Sequence, residues 1–278
     1  MKLQKKFVCA LLICVSLLCS CAPQTPVECN HNYTHGVCSK CGAEKPVEDV
    51  KILYVGNSYT YYNDHLLVSS LNKLAKEAHY STTIVELSNG SARLQDYLTG
   101  KYSVSLDDAL NNNQFNYVFL QEHSTHPISN KTAFVNTVRD FQTKISKTQK
   151  NCQTIMYMTW ARKDDEASQS AVKLTVVEME QKLKEAYYEA ADAINAVVCP
   201  VGTAFGLIRG DKEIELYNID ASHPSICGSY LTALTHYALL FDEDPRLIEY
   251  TVEGITSSQA TKLKTAAYTA VKNAQKQN

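Results

Sequence analysis

Ser58, in Gly56-Asn57-Ser58-Tyr59-Thr60, and the pair Asp220 and His223, in Asp220-Ala221-Ser222-His223, are the side-chain types that acyl transfer requires. A serine hydroxyl becomes a useful nucleophile only when an adjacent base takes its proton. A carboxylate three residues before an imidazole can hold Nδ1–H and leave Nε2 facing that serine. Each block also has a structural reading on its own. A Ser or Asn ahead of a helix serves as an N-cap, and an Asp beside a His can be a solvated loop pair.

The elements that must position these residues follow from hydrophobic periodicity. Ile52-Leu53-Tyr54-Val55 is a short apolar run closed by Gly56, which predicts a buried strand ending just before Ser58. Thr82–Leu87, Asn116–Leu120, Gln153–Thr159 and Ala196–Val201 predict four more strands. Between and after them lie helical stripes. Leu67, Leu71, Leu74 and Ala78 form one, and Phe134, Val138, Phe141 and Ile145 another. A long stripe runs from Val172 through Val176, Met179, Leu183, Tyr187 and Ala190 to Ile194, and two helices follow around Gly228–Phe241 and Ser257–Gln275. This alternation predicts an α/β fold, a three-layer α/β/α sandwich around a mainly parallel, five-stranded sheet with flavodoxin-like layering. Ligands of such sheets bind beyond the carboxyl ends of the strands. The segments to inspect are therefore Gly56-Asn57-Ser58, Ser88-Asn89-Gly90, Gln121-Glu122-His123 and Trp160-Ala161.

Taken together, the G-N-S block after the first strand and the D-x-x-H block before a late helix resemble the SGNH (GDSL-like) hydrolases, in their G-N-S branch. Ile226-Cys227-Gly228-Ser229-Tyr230-Leu231 is similar to the start of that family's final core helix, and the resemblance spans roughly residues 50–245. It implies a serine esterase with Ser58 as nucleophile, His223 as base and Asp220 as its partner. It also implies an oxyanion hole made by the Ser58 N–H, a glycine N–H after the second strand, and an asparagine amide from a G-x-N-D block after the third. Gly90 matches the glycine. No G-x-N-D follows the third strand, where the chain reads Leu120-Gln121-Glu122-His123-Ser124. Gln121 is the expected replacement donor, with a glutamine capping the strand end as the alternative.

Asn57, Asn89, His123 and Trp160 fall close enough to strand ends to be candidate substrate contacts. His126 shares the segment of His123, and neither histidine has a carboxylate at triad-like spacing. Trp160 could wall a pocket or stack on a sugar, and core packing accounts for it equally well.

The beginning of the chain carries different information. Lys2, Lys5 and Lys6 precede the apolar run Phe7–Leu18, which is too short to span a bilayer and reads as an export signal. Leu18-Cys19-Ser20-Cys21 resembles a bacterial lipobox, implying cleavage before Cys21 and lipidation there. The expected organisation is a signal peptide at 1–20, a lipid-anchored tether at 21–49 and a hydrolase domain at 50–278. The product would be exported and held on the cell envelope by its lipid. Within the tether, Cys29-x-His31 and Cys38-x-x-Cys41-Gly42 offer four ligands at a zinc-knuckle spacing, with His35 as a rival. This looks like a short zinc-ribbon-like insert holding a structural ion; a disulfide plus one free thiol is the alternative. Cys152, Cys199 and Cys227 read as apolar core positions.

With 278 residues, 45% hydrophobic and 20% charged, a formal net charge of -2 and a pI near 6.4, the chain has the composition of one globular domain with no footprint for nucleic acid. The expectation is a monomeric surface esterase needing no cofactor for catalysis. By its resemblance to the SGNH hydrolases alone, its substrate is expected to be an O-acyl ester, chiefly an O-acetylated glycan. The alternatives are a lipid or short-chain acyl esterase, and an inactive carbohydrate-binding lipoprotein on the same scaffold.

Overall fold

The computed structural model describes residues 29–34 and 36–276. The export run, the lipobox with Cys21, and His35 lie outside the described residues. Among the described residues, no helix is long and apolar enough to cross a membrane.

A two-stranded hairpin, β1 (Tyr33–Thr34) and β2 (Val37–Cys38), comes first. The main sheet is built from β3 (Glu48–Gly56), β4 (Tyr80–Ser88), β5 (Tyr117–Leu120), β6 (Gln153–Tyr157) and β7 (Val197–Cys199). All its pairings are parallel, in the order β4-β3-β5-β6-β7. The helices between them are α1 (Ser58–Glu77), α2 (Leu94–Leu98), α3 (Ser103–Asn112), α4 (His126–Ser129) and α5 (Lys131–Thr148). After β6 come α6 (Asp165–Val172), α7 (Val176–Asp192), α8 (Val201–Ile208), α9 (Ile226–Phe241) and α10 (Ser257–Gln275).

Alternation along the strands divides the core in two. Ile52, Tyr54, Phe119, Ile155 and Tyr157 face a cluster completed by α1, α8, α9 and α10. Leu53, Val55, Val118, Leu120 and Met156 face the other, completed by α2, α3, α5 and α7. This is the three-layer α/β/α architecture, and the order of its strands reverses direction at β3. The crevice beyond the carboxyl ends of β3 and β5 is therefore the natural ligand site.

Two local departures from simple periodicity matter. The stripe from Val172 to Ile194 is not one helix. Lys173 adopts φ +61°, ending α6, and a capping box of Thr175 and Glu178 starts α7. Helix α1 is interrupted too: Tyr62 is extended, and Asn63, Asp64 and His65 all have φ between +54° and +58°. Three successive left-handed residues are costly for side chains with a Cβ. The Asn63 amide fixes the bend by donating to the Pro224 carbonyl (2.9 Å) and to Ser229 Oγ (2.8 Å).

The hairpin packs on the amino-terminal end of the sheet. The Lys45 ammonium hydrogen-bonds the Tyr80 hydroxyl and lies 3.8 Å from the centre of that ring. Gly36 (φ +72°) sits so close to His79 that a Cβ would overlap the imidazole. Residues 29–34 and 36–47 are thus held against the domain at the end opposite Ser58.

Candidate active site

Asn57, in extended conformation, caps α1 by accepting from the Tyr59 N–H (3.2 Å), which makes Ser58 the first helical residue. The Ser58 N–H lies in the first turn, where no intrahelical acceptor exists. Ser58 Oγ is 2.8 Å from His223 Nε2. His223 Nδ1 is 2.5 Å from Asp220 Oδ2, while Asp220 Oδ1 accepts from the backbone N–H groups of Ser222 and His223, both at 2.9 Å. The structure therefore brings Ser58, His223 and Asp220 into one continuous hydrogen-bonded row. Partial burial pushes the Asp220 carboxyl up, but the His223 ring and the two N–H groups outweigh it, leaving its pKa below the usual value. The imidazole is held flat by Tyr62, stacked at 4.4 Å, and edge-on by Tyr59 at 5.5 Å.

These residues open into a cleft of about 100 Å³, lined by Asn57, Ser58, Tyr59, Ser91, His123 and Ser124, with Arg162, Ser222 and His223. Burial pushes the His123 imidazole below its ordinary pKa, against the pull of Glu122, so the ring is neutral at neutral pH. His123 thus faces the cleft, as its position after β5 suggests.

The other predicted contacts are placed differently. Gln121 is almost fully buried, and its amide is spent inside the protein. Its Oε1 accepts from the Asn57 N–H (2.9 Å), and its Nε2 donates to Asn57 Oδ1 (3.0 Å) and to the Glu122 carbonyl (2.6 Å). Both of its N–H bonds are committed, so it has none to give an oxyanion. Its expected role as an oxyanion donor is corrected to that of a brace behind the nucleophile turn.

Trp160 is corrected as well. It is buried in a stack between Tyr59 (4.5 Å) and Phe205 (4.2 Å), and its indole N–H donates to the Ser222 carbonyl (3.0 Å). It steadies the loop that carries His223 and does not line the cleft. Asn89 turns its amide to the Tyr97 hydroxyl (3.0 Å), away from the cleft. Asn57 lines the cleft, but its amide N–H₂ bonds the Ala92 carbonyl (3.0 Å) and its oxygen caps α1. Gly90 is exposed, and its neighbour Ser91 (φ +58°) forms the cleft wall. Among the described residues, neither of their N–H groups has a protein acceptor.

Sequence reasoning did not single out Arg162, Ser124 or Tyr59. Arg162 donates to Tyr59 Oη (3.2 Å) and Ser124 Oγ (3.1 Å), and Tyr59 Oη lies 2.8 Å from Ser222 Oγ. The available signal was position: Arg162 stands just beyond the carboxyl end of β6, where ligands of this fold gather.

At the far end of the sheet, Cys29, His31, Cys38 and Cys41 converge, their ligand atoms all within 4.8 Å of one another. Cys29 Sγ lies 3.8 Å from Cys38 Sγ, and Cys41 Sγ lies 3.3 Å from His31 Nδ1. None of the six described cysteines is in a disulfide; Cys199 is buried, whereas Cys152 and Cys227 are only partly so.

No protein-family model matches this sequence, and no curated protein matches it either. Solved structures do. A protein from Slackia heliotrinireducens described as a candidate SGNH hydrolase aligns over 67% of this chain and 96% of its own, at 26% identity and a TM-score of 0.57. A DUF4886 family protein from Bacteroides uniformis aligns over 80% and 95%, at 17% identity and a TM-score of 0.64. An α/β hydrolase from the metagenome of Lake Arreo aligns over 68% and 95%, at 14% identity and a TM-score of 0.50. With its five-stranded parallel sheet between two helical layers, the chain has the α/β fold of the SGNH hydrolases.

Proposed function

We propose that this chain is a serine esterase that removes short acyl groups, chiefly acetyl, from the hydroxyls of carbohydrate. The observation that carries this reading is the row Ser58 Oγ, His223 Nε2, His223 Nδ1, Asp220 Oδ2. Ser58 attacks the ester carbonyl as His223 takes its proton, with Asp220 fixing the tautomer. The oxyanion is received by the Ser58 N–H and the unpaired N–H groups of the Gly90–Ser91 turn. His223 returns the proton to the leaving alcohol, and water then repeats the sequence to release the acid. The residues require no cofactor for this. A cleft of about 100 Å³ with several hydroxyls in its wall suits acetyl better than a lipid chain.

Replacing Ser58 with Ala abolishes turnover of p-nitrophenyl acetate while the protein remains folded; retained turnover would overturn the mechanism. Commitment of the Gln121 amide removes the expected side-chain donor and leaves only backbone N–H groups for the oxyanion, which favours an inactive binding protein as the second reading. Labelling by a fluorophosphonate separates the two, because only an activated serine reacts.

We further infer that Cys29, His31, Cys38 and Cys41 hold a structural zinc ion. Two thiolates bound at about 2.3 Å in a tetrahedron stand about 3.8 Å apart, which is the Cys29–Cys38 separation of 3.8 Å. The Lys2–Cys21 sequence supports export and lipid attachment at Cys21. β3 runs from the cysteine cluster towards Ser58 over nine residues, about 30 Å. A chain so anchored would present its cleft away from the membrane. Incorporation of labelled palmitate, lost in Cys21→Ser, is the expected result.

A further inference from the structure

Arg162 is the charged group of the cleft that the esterase mechanism leaves unused. It is half-buried, and two of its guanidinium N–H bonds are taken by Tyr59 and Ser124. A guanidinium has five such bonds in a rigid fork. Among the described residues no carboxylate pairs with it, whereas its neighbour Lys163 pairs with Glu215. Among the described residues no acidic side chain lines the cleft: its ionisable groups are Arg162, His123, His223 and the Tyr59 hydroxyl. An unpaired guanidinium in a cleft without carboxylates is poised for an anion supplied by the ligand.

Strand order says which anion. The oxyanion donors follow β3 and β4, Ser124 follows β5, and Arg162 follows β6. Arg162 therefore leaves the sheet two strand positions from Ser58, about 10 Å away, on the side opposite the Gly90–Ser91 turn. Its side chain covers part of that distance through its bonds to Tyr59 and Ser124. It therefore enters the cleft from the β6 side, across from the turn that offers the oxyanion donors, which leaves it to the rest of the ester. The small cleft admits an acetyl group, which carries no charge, so the anion belongs to the alcohol part of the ester.

We propose that Arg162 binds a carboxylate on the alcohol portion of the substrate, making the preferred substrate an acetate ester of an acidic sugar or similar carboxylate-bearing alcohol. This rests on the serine esterase reading and narrows it.

The test compares 3-acetoxybenzoate with 3-acetoxybenzamide, which have the same shape and differ in charge. The ratio of their kcat/KM values in the wild type is expected to fall about ten- to a hundredfold in Arg162→Gln, the range for a charge-assisted hydrogen bond, and less in Arg162→Lys. Equal loss on both substrates would assign Arg162 to positioning or to the oxyanion and overturn the proposal. p-Nitrophenyl hemisuccinate places the carboxylate on the acyl side, and an Arg162-dependent preference there instead would overturn the alcohol-side assignment. If Arg162→Gln does not fold, the wild type decides: benzoate must inhibit p-nitrophenyl acetate turnover more strongly than benzamide, and the reverse order overturns the proposal. A wild type that cleaves none of these acetates defeats the esterase reading and this one with it; turnover with an unchanged ratio defeats only this one.

Discussion

Gln121 and Asn57 close a ring of two hydrogen bonds behind the nucleophile: Asn57 N–H to Gln121 Oε1 at 2.9 Å, and Gln121 Nε2 to Asn57 Oδ1 at 3.0 Å. Asn57 Oδ1 also caps α1 through the Tyr59 N–H, so the glutamine fixes the residue that fixes Ser58. Gln121→Leu leaves the buried Asn57 N–H without an acceptor, a cost of about 1–3 kcal/mol. The expected outcome in urea unfolding is a loss of that size, with kcat on p-nitrophenyl acetate falling less than the roughly 10²–10³-fold typical of a deleted oxyanion donor. A fall in kcat of that larger size at unchanged stability would return Gln121 to the oxyanion hole.

Asp220 divides its two oxygens between backbone and imidazole, and the division makes Asp220→Asn informative. The amide oxygen can still accept from Ser222 and His223 N–H, which places the NH₂ against His223 Nδ1. That favours the wrong tautomer, with Nε2 protonated and unable to take the serine proton. kcat is expected to fall about 10²-fold or more, with near-wild-type folding. Because the Asp220 pKa is already held below the ordinary carboxylate value, the acid limb of the wild-type pH–rate profile should not follow Asp220. A variant as active as the wild type would show that the pair is only structural.

The inner strands were legible as short apolar runs whose faces both meet helices, and the edge strand β4 by its β-branched Thr82, Thr83, Ile84 and Val85; all five appear in the sheet. The juxtaposition of Ser58, His223 and Asp220 was legible because strand end, loop and spacing each restrict where a residue there can lie. Gln121 was misread for a physical reason: position after β5 places a residue near the site but does not say whether its amide is spent behind the turn or offered in front of it. Trp160 failed in the same way, since a side chain at a strand end can fold back into the core. The break at Lys173 was hidden by an apolar stripe that continues across it, although Thr175-x-x-Glu178 carries the capping signature. Arg162 was invisible because an unpaired charge is a property of the assembled cleft.

The cysteine cluster predicts a metal-dependent anchorage separate from the active site. Soluble protein beginning after Cys21 should contain zinc near one equivalent by elemental analysis, and Cys38→Ser should lose it. Without the ion, the hairpin's hold on His79 and Tyr80 weakens, and Tm falls by about 2–4 °C per kcal/mol lost in a domain of this size. Esterase activity should persist, because the cluster sits at the amino-terminal end of β3 and Ser58 beyond its carboxyl end. Protein without zinc but with a Cys–Cys crosslink on mass analysis would establish the disulfide instead.

His236 sets an acid limit on stability. It is fully buried, stacked on Phe119 at 4.6 Å, and its Nδ1 lies 2.8 Å from the Tyr54 hydroxyl. Its Nε2 is buried with no partner among the described residues, and burial pushes the ring's pKa down to about 3. In the unfolded chain the same imidazole binds a proton below about pH 6.5. Between about 6.5 and 3 the unfolded state therefore holds one proton more than the folded state, and stability falls as pH falls, by up to about 1.4 kcal/mol per pH unit. His236→Phe removes the titration at the cost of the Tyr54 hydrogen bond, so it should be the less stable protein at pH 7.5. Its deficit should shrink across urea unfolding at pH 6.5, 5.5 and 4.5, by roughly one such increment per unit once below the unfolded pKa. A deficit that stays constant over this series would mean that His236 takes up its proton without unfolding, and that the buried Nε2 has a route to solvent.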